Sequence, residues 1–329
     1  MAASFDKAFQ HALAALQGGQ LDDAERSFKE LLDAEPQHVA GLNLYAILLI
    51  QLGRFEEAEN YLRRALRKTP KSDATLSNYG IVLAALKRPV EAAEQFTRAL
   101  ALNPSAAETW NSRGTVFSGM GQYQQAIADF DRAIVLNSKY ADAFCNKGNS
   151  LAALKLWDQS LAAYDAAIAL NQRLANAWLG RAKIFIFVDK NYKKAREAYD
   201  RVLSLKPDLA DAWVGLGNIF YQSKQYVQAL AAYDKAIEHD TDLSDGWHGR
   251  ANVLYETKRY DEAITAYDKL LGKSPALAWH GRGSVYSELG LDDQALAAFE
   301  QATALSPDLA AAWSGRGSCL LYTSDAADE

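Results

Sequence analysis

Cysteine is almost missing: Cys145 and Cys319 are the only two in 329 residues, and no CxxC pair or Cys/His cluster occurs. That excludes a disulfide framework and a structural zinc site. The five histidines (11, 38, 239, 248 and 280) form neither an HExxH pair nor a ligand cluster. No apolar run approaches the roughly 20 residues needed to cross a bilayer, and Tyr45 to Ile50 is among the longest. The first residues lack the basic segment followed by an apolar stretch that marks a secretory signal. These absences predict no membrane insertion and a cytoplasmic, reducing location. Charge of one sign does not dominate either: 35 Lys and Arg face 41 Asp and Glu, a net −6, so no nucleic-acid partner is expected.

Signatures of chemistry are equally thin. Gly215 and Gly217 begin a dinucleotide fingerprint, but the third glycine is missing and no strand precedes them. Asp240 to Asp245 opens like a calcium loop, yet it lacks the glycine at the sixth position and carries Ala251 where a bidentate glutamate belongs. There is no G-x-S-x-G elbow. No catalytic residue, metal or cofactor is expected, and the chain as given is not read as an enzyme.

What the chain has is repetition. Trp279, Gly283, Tyr286, Ala295, Phe299, Ala302 and Pro307 stand at positions 4, 8, 11, 20, 24, 27 and 32 of a thirty-four-residue unit, and Trp313 restarts the count. Positions 4, 8 and 11 share one face of a first helix, and 20, 24 and 27 one face of a second. Small residues let the backbones approach, rings fill the space beside them, and proline stops the second helix. The unit predicts an all-α chain of antiparallel helix pairs. Its copies are expected at 5–38, 39–72, 73–106, 107–140, 141–174, 175–209, 210–243, 244–275 and 276–309, with a partial tenth at 310–318.

The first copy is degenerate and reads as a cap. Two others break register. In 175–209 one residue is added near Asp189-Lys190-Asn191, where the usual turn glycine is missing. In 244–275 two residues are lost, placed by the sequence at the connection Gly272 to Pro275. Residues 319–329 resemble one translated frame of a transposon-end sequencing adapter. They are expected to be a non-native tail, with the repeat dissolving after Ser318 and the chain a fragment.

The pattern resembles the tetratricopeptide repeat family from Phe5 to about Ser318, and nine successive units make the resemblance specific. It implies an α-α superhelix, a solenoid whose first helices line a concave groove. On that analogy positions 2, 5, 9 and 12 face the groove. Position 9 is Asn149, Lys183, Asn218 and Asn252; position 12 gives Tyr221 and Tyr255; position 5 gives His248 and His280; position 2 gives Glu108, Asp142, Asp211 and Asp245. Asparagine can donate to and accept from a peptide backbone, and tyrosine adds a flat face with a polar tip. The two histidines are expected to be solvated.

The expected function is a noncatalytic protein–protein interaction scaffold that binds an extended peptide or protein segment. The alternative is the substrate-recognition arm of a larger enzyme, since similar repeats precede soluble glycosyltransferases that attach N-acetylglucosamine to proteins. That resemblance implies an asparagine ladder at position 6, where this chain has only Asn78 and Asn146 and then Gly180, Gly215, Gly249, Gly281 and Gly315. A second row is basic: position 7 reads Arg113, Lys147, Arg181, Arg250, Arg282 and Arg316. Acids at position 25 (Asp131, Asp165, Asp200, Asp234, Asp268 and Glu300) predict that the bases are used in ion pairs between neighbouring helices.

Overall fold

The computed structural model describes the backbone of residues 2–188 and 190–325, and side chains for 9–188 and 190–320. Among the described residues all regular structure is helical, nineteen helices in all, and the chain divides into two compact units, Met1–Ala177 and Trp178–Glu329. In the first, consecutive hairpins are α1 (Ala2–Gln17) with α2 (Leu21–Ala34), α3 (Val39–Gln51) with α4 (Phe55–Lys68), and α5 (Asp73–Ala85) with α6 (Pro89–Leu102). α7 (Ala107–Gly119) with α8 (Tyr123–Leu136) and α9 (Ala141–Ala153) with α10 (Trp157–Leu170) complete it. α11 (Ala175–Phe187) contains the division. The second unit continues with α12 (Tyr192–Leu205), α13 (Ala210–Gln222), α14 (Tyr226–His239), α15 (Ser244–Glu256), α16 (Tyr260–Asp268), α17 (Pro275–Glu288), α18 (Asp292–Leu305) and α19 (Ala310–Asp325).

Each hairpin closes on the small residue at position 20. Ala58, Ala92, Ala126, Ala229, Ala263 and Ala295 are completely buried there, and Ser160 fits the same slot by donating to the Gly148 carbonyl at 2.7 Å. A buried hydroxyl is tolerated because its hydrogen bond is made. The ring at position 24 fills the space over the position-8 glycine. A Cβ added to Gly217 would lie 2.6 Å from Tyr233 Cε1, closer than real contacts allow. The indole at position 4 fastens the inter-hairpin turn: Nε1 of Trp110, Trp213, Trp247 and Trp313 donates to the carbonyl six residues earlier, at 2.8–2.9 Å.

First helices stop because position 15 is left-handed, after which the next N–H reaches back to position 11, as Gln225 does to Phe220 at 2.8 Å. Glycine fills that position four times, but Lys87, Lys155, Lys190, Lys224 and Lys258 fill it five times, with φ between 46° and 61°. The turn at Lys190 is therefore not unusual in lacking glycine. Its extra residue shows instead as a longer closure, Asn191 N–H to Phe185 at 2.9 Å.

One further expectation is corrected. The two residues missing from the eighth hairpin are absorbed by its second helix: α16 has 9 residues where α14 has 14, and buried Leu270 packs in the turn that follows. Among the described residues the Trp279 indole makes no such hydrogen bond, unlike those of Trp110, Trp213, Trp247 and Trp313. At the other end, α19 runs past Ser318 without a break. It continues to Asp325, and Cys319 is buried in the slot that Val285 fills one hairpin earlier.

Candidate functional site

The basic row at position 7 is consumed by packing. Lys147 Nζ lies 2.6 Å from Asp131, Arg250 Nε 2.8 Å from Asp234, Arg282 Nη1 3.1 Å from Asp268 and Arg316 Nη2 3.3 Å from Glu300. Each pair links a first helix to the preceding second helix. Arg113 departs from this by making a two-pronged pair with Asp129 at 2.7 and 2.8 Å and binding Thr97 at 3.0 Å. The guanidiniums also lie on the position-4 indoles, Arg113 at 4.8 Å from Trp110 and Arg282 at 4.6 Å from Trp279. Earlier hairpins make the same tie differently: Tyr79 donates to Glu59 at 3.1 Å, and Arg88 joins at 2.9 Å.

The position-9 row is held from beneath. The Tyr164 hydroxyl donates to Asn149 Oδ1, Tyr233 to Asn218 Oδ1 and Tyr267 to Asn252 Oδ1, all at 2.7 Å. Burial pushes all three phenols well above their ordinary value, so they remain donors. Each asparagine carbonyl thus already accepts one bond, and its amide NH₂ remains as the outward donor. Asn149 and Asn218 are exposed, whereas Asn252 is partly buried with its amide 3.5 Å from His248 Nε2.

The same rings explain the position-6 glycines. In the second unit Tyr199, Tyr233, Tyr267 and Phe299 reach across to the next first helix and lie over Gly215, Gly249, Gly281 and Gly315, where any Cβ would collide with the ring. Glycine there is a packing requirement. The histidines are not solvated as expected: His248 lies 6.5 Å from the Tyr267 ring and His280 5.9 Å from Phe299, both partly buried, and burial lowers the pKa of each. Tyr221 and Tyr255 are also partly buried and point to Glu256 and Glu288 at 3.4 Å.

Lys183 and Asn218 line one pocket. It lies in the second unit and holds about 330 Å³ between α11, α12, α13 and α15, with Tyr199, Asp211 and Asp245 in its wall. Asn149 belongs to the other unit. Both cysteines are buried free thiols, and burial pushes Cys145 up to about 12, so it is no nucleophile at neutral pH. Among the described residues no group of three or more His, Cys, Asp or Glu could hold a metal ion, and no helix is long and apolar enough to cross a membrane.

Family models described as tetratricopeptide repeat match residues 9–73, 46–107, 107–140, 210–242, 244–275 and 276–309, and one described as TPR repeat matches 189–224. The chain belongs to the tetratricopeptide repeat family. No curated protein matches it in sequence. Among solved structures, a tetratricopeptide repeat protein from Parabacteroides merdae is similar with a TM-score of 0.61 at 20% identity, covering 77% of this chain and 99% of that one. The APC/C hetero-tetramer Cut9-Hcn1 gives 0.65 at 18% identity over 86% of this chain and 54% of that one. Pseudomonas aeruginosa pilF gives 0.58 at 19% identity over 65% and 97%. At such identities the likeness concerns the fold. Tetratricopeptide repeats generally act in binding protein or peptide partners, which places the chain among interaction proteins.

Sequence reasoning missed the tyrosine beneath each asparagine. The signal was present: where position 24 is Tyr164, Tyr233 or Tyr267, position 9 of the same copy is asparagine.

Proposed function

We propose that the chain is a noncatalytic scaffold whose first-helix face binds an extended peptide or protein segment, with Lys183, Asn218, Tyr221, His248, Asn252, Tyr255 and His280 as the contacting set of the second unit and Asn149 as a separate contact of the first. The observation that carries this reading is the tyrosine lock. A side chain whose carbonyl is already bonded loses little freedom when its amide donates to a partner's backbone, so the ordering cost of binding is met in advance. Repetition of the same lock suits an extended chain, which presents carbonyls at regular intervals. The reading as a glycosyltransferase recognition arm gains nothing from position 6, because Gly215, Gly249, Gly281 and Gly315 are occupied by rings.

The test must separate binding from folding. Asn218→Ala would strand the Tyr233 hydroxyl, at a cost of about 1–3 kcal/mol. Asn218→Asp and Asn252→Asp instead keep the acceptor for tyrosine and remove the donor for the peptide. With a peptide selected from a random twelve-residue display library, the double Asp variant is expected to bind at least tenfold more weakly by fluorescence anisotropy, with its thermal midpoint nearly unchanged. Equal affinity for wild type and variant would refute the location.

A further inference from the structure

The tyrosine lock fails once. In the hairpin of α11 and α12 the position-24 ring is Tyr199, but Lys183 stands where asparagine would receive its hydroxyl. Tyr199 is only 3% exposed, and among the described residues its hydroxyl makes no hydrogen bond. It faces the 330 Å³ pocket instead. The hydroxyl keeps contact with solvent through this pocket, so an incoming donor can reach it. Two carboxylates share that pocket, Asp211 and Asp245, and neither meets a base within 4 Å among the described residues. Lys183 at the rim offsets one of the two charges, leaving the cavity net negative. Its remaining wall is apolar: Ile186, Val214 and Phe187, the last 74% exposed.

We propose that this pocket seats an arginine side chain presented by the bound segment, its guanidinium between Asp211 and Asp245 with the Tyr199 hydroxyl as a third acceptor. The reasoning is one of matching. Guanidinium has five donors and no acceptor, it is weakly hydrated for a cation, and its three-carbon stem needs an apolar wall. The pocket offers two free carboxylates, one free phenol oxygen and three apolar side chains. The Asn218 amide, whose carbonyl is held by Tyr233, is left to bind the backbone beside that arginine. The proposal rests on the peptide-binding reading of this face.

Two experiments keep the two readings apart. Peptides selected on the full chain from a random twelve-residue library are expected to share one arginine. Replacing it by citrulline should weaken binding to wild type at least tenfold and to Asp211→Asn/Asp245→Asn less than twofold. Selected peptides without a shared basic residue would overturn the arginine pocket while leaving the groove standing. Independently of any selected peptide, N-acetyl-arginine methylamide titrated into the full chain should shift the Ile186 and Val214 methyl resonances saturably, and should not do so in the double variant. No shift in wild type would overturn the pocket whatever the groove does. Tyr199→Phe adds a readout of the orphan hydroxyl: it should leave the thermal midpoint unchanged or raised while weakening the arginine peptide severalfold. Tyr233→Phe, which breaks a made hydrogen bond, should lower the midpoint. A drop for Tyr199→Phe as large as that for Tyr233→Phe would contradict an unpartnered hydroxyl.

Discussion

Gly249→Ala tests the packing scheme through its sign. The Tyr233 ring is clamped between Gly217 of its own hairpin and Gly249 of the next, and a Cβ at Gly249 would fall within the ring. The ring cannot retreat, because Tyr233 is 1% exposed and its hydroxyl is tied to Asn218. Overpacking of this kind costs about 1–3 kcal/mol. Against it stands the helix propensity of alanine over glycine inside α15, worth about 1 kcal/mol. The net expectation is a loss of up to about 2 kcal/mol, measured by urea unfolding followed by far-ultraviolet circular dichroism. In a Tyr233→Ala background the obstruction is gone and only propensity remains, so the same substitution should stabilise by about 0.5–1 kcal/mol. Contacts run mainly between adjacent hairpins, so amide exchange should localise the damage to α14, α15 and α16. If Gly249→Ala is stabilising with Tyr233 intact, or if it stabilises no more without the ring than with it, the clamp is refuted.

Two further outcomes follow from the backbone and the buried bases. Lys224 holds a left-handed conformation that costs a side-chain-bearing residue about 1–2 kcal/mol; glycine removes that cost but gives back about 0.5–1 in unfolded-chain entropy. Lys224→Gly should therefore raise stability, by up to about 1.5 kcal/mol, and a clear loss in urea unfolding would show that the lysine side chain has a contact of its own. Burial lowers the pKa values of His248 and His280 below the ordinary imidazole value of about 6.5. The folded state then binds fewer protons than the unfolded state, so their contribution is intact above about 6.5 and is lost as pH falls through the folded values. Thermal midpoints should decline from pH 7 toward pH 5, less steeply in His248→Gln/His280→Gln; identical slopes would contradict the burial.

The fold was legible because each copy states it again. A tryptophan, a glycine and an aromatic ring at fixed offsets define two stripes, and errors in one copy are corrected by its neighbours. Local departures were harder to read. The loss of two residues in 244–275 showed in the spacing from Tyr267 to Trp279, but spacing does not say whether helix or connection absorbs a deletion, and α16 did. Lysine at position 15 was passed over because its propensity does not favour the left-handed region; the hairpin geometry imposes that conformation. The candidate face was legible only as a row of residue types. Asn218 and Tyr233 lie on different helices, so their bond becomes visible only when both stripes are superimposed, and the orphaned Tyr199 hydroxyl only once the other three are paired. The histidines were misread because position 5 was taken as open groove, whereas the rings at position 24 reach up to cover it.

The most direct measurement is a crystal structure of the full chain with a peptide selected from the random library. The account predicts an extended peptide along α13, α15 and α17, with the Asn218 amide donating to its backbone and an arginine entering between Asp211 and Asp245. A peptide lying instead on the second helices α14, α16 and α18, with the asparagine row empty, would contradict it.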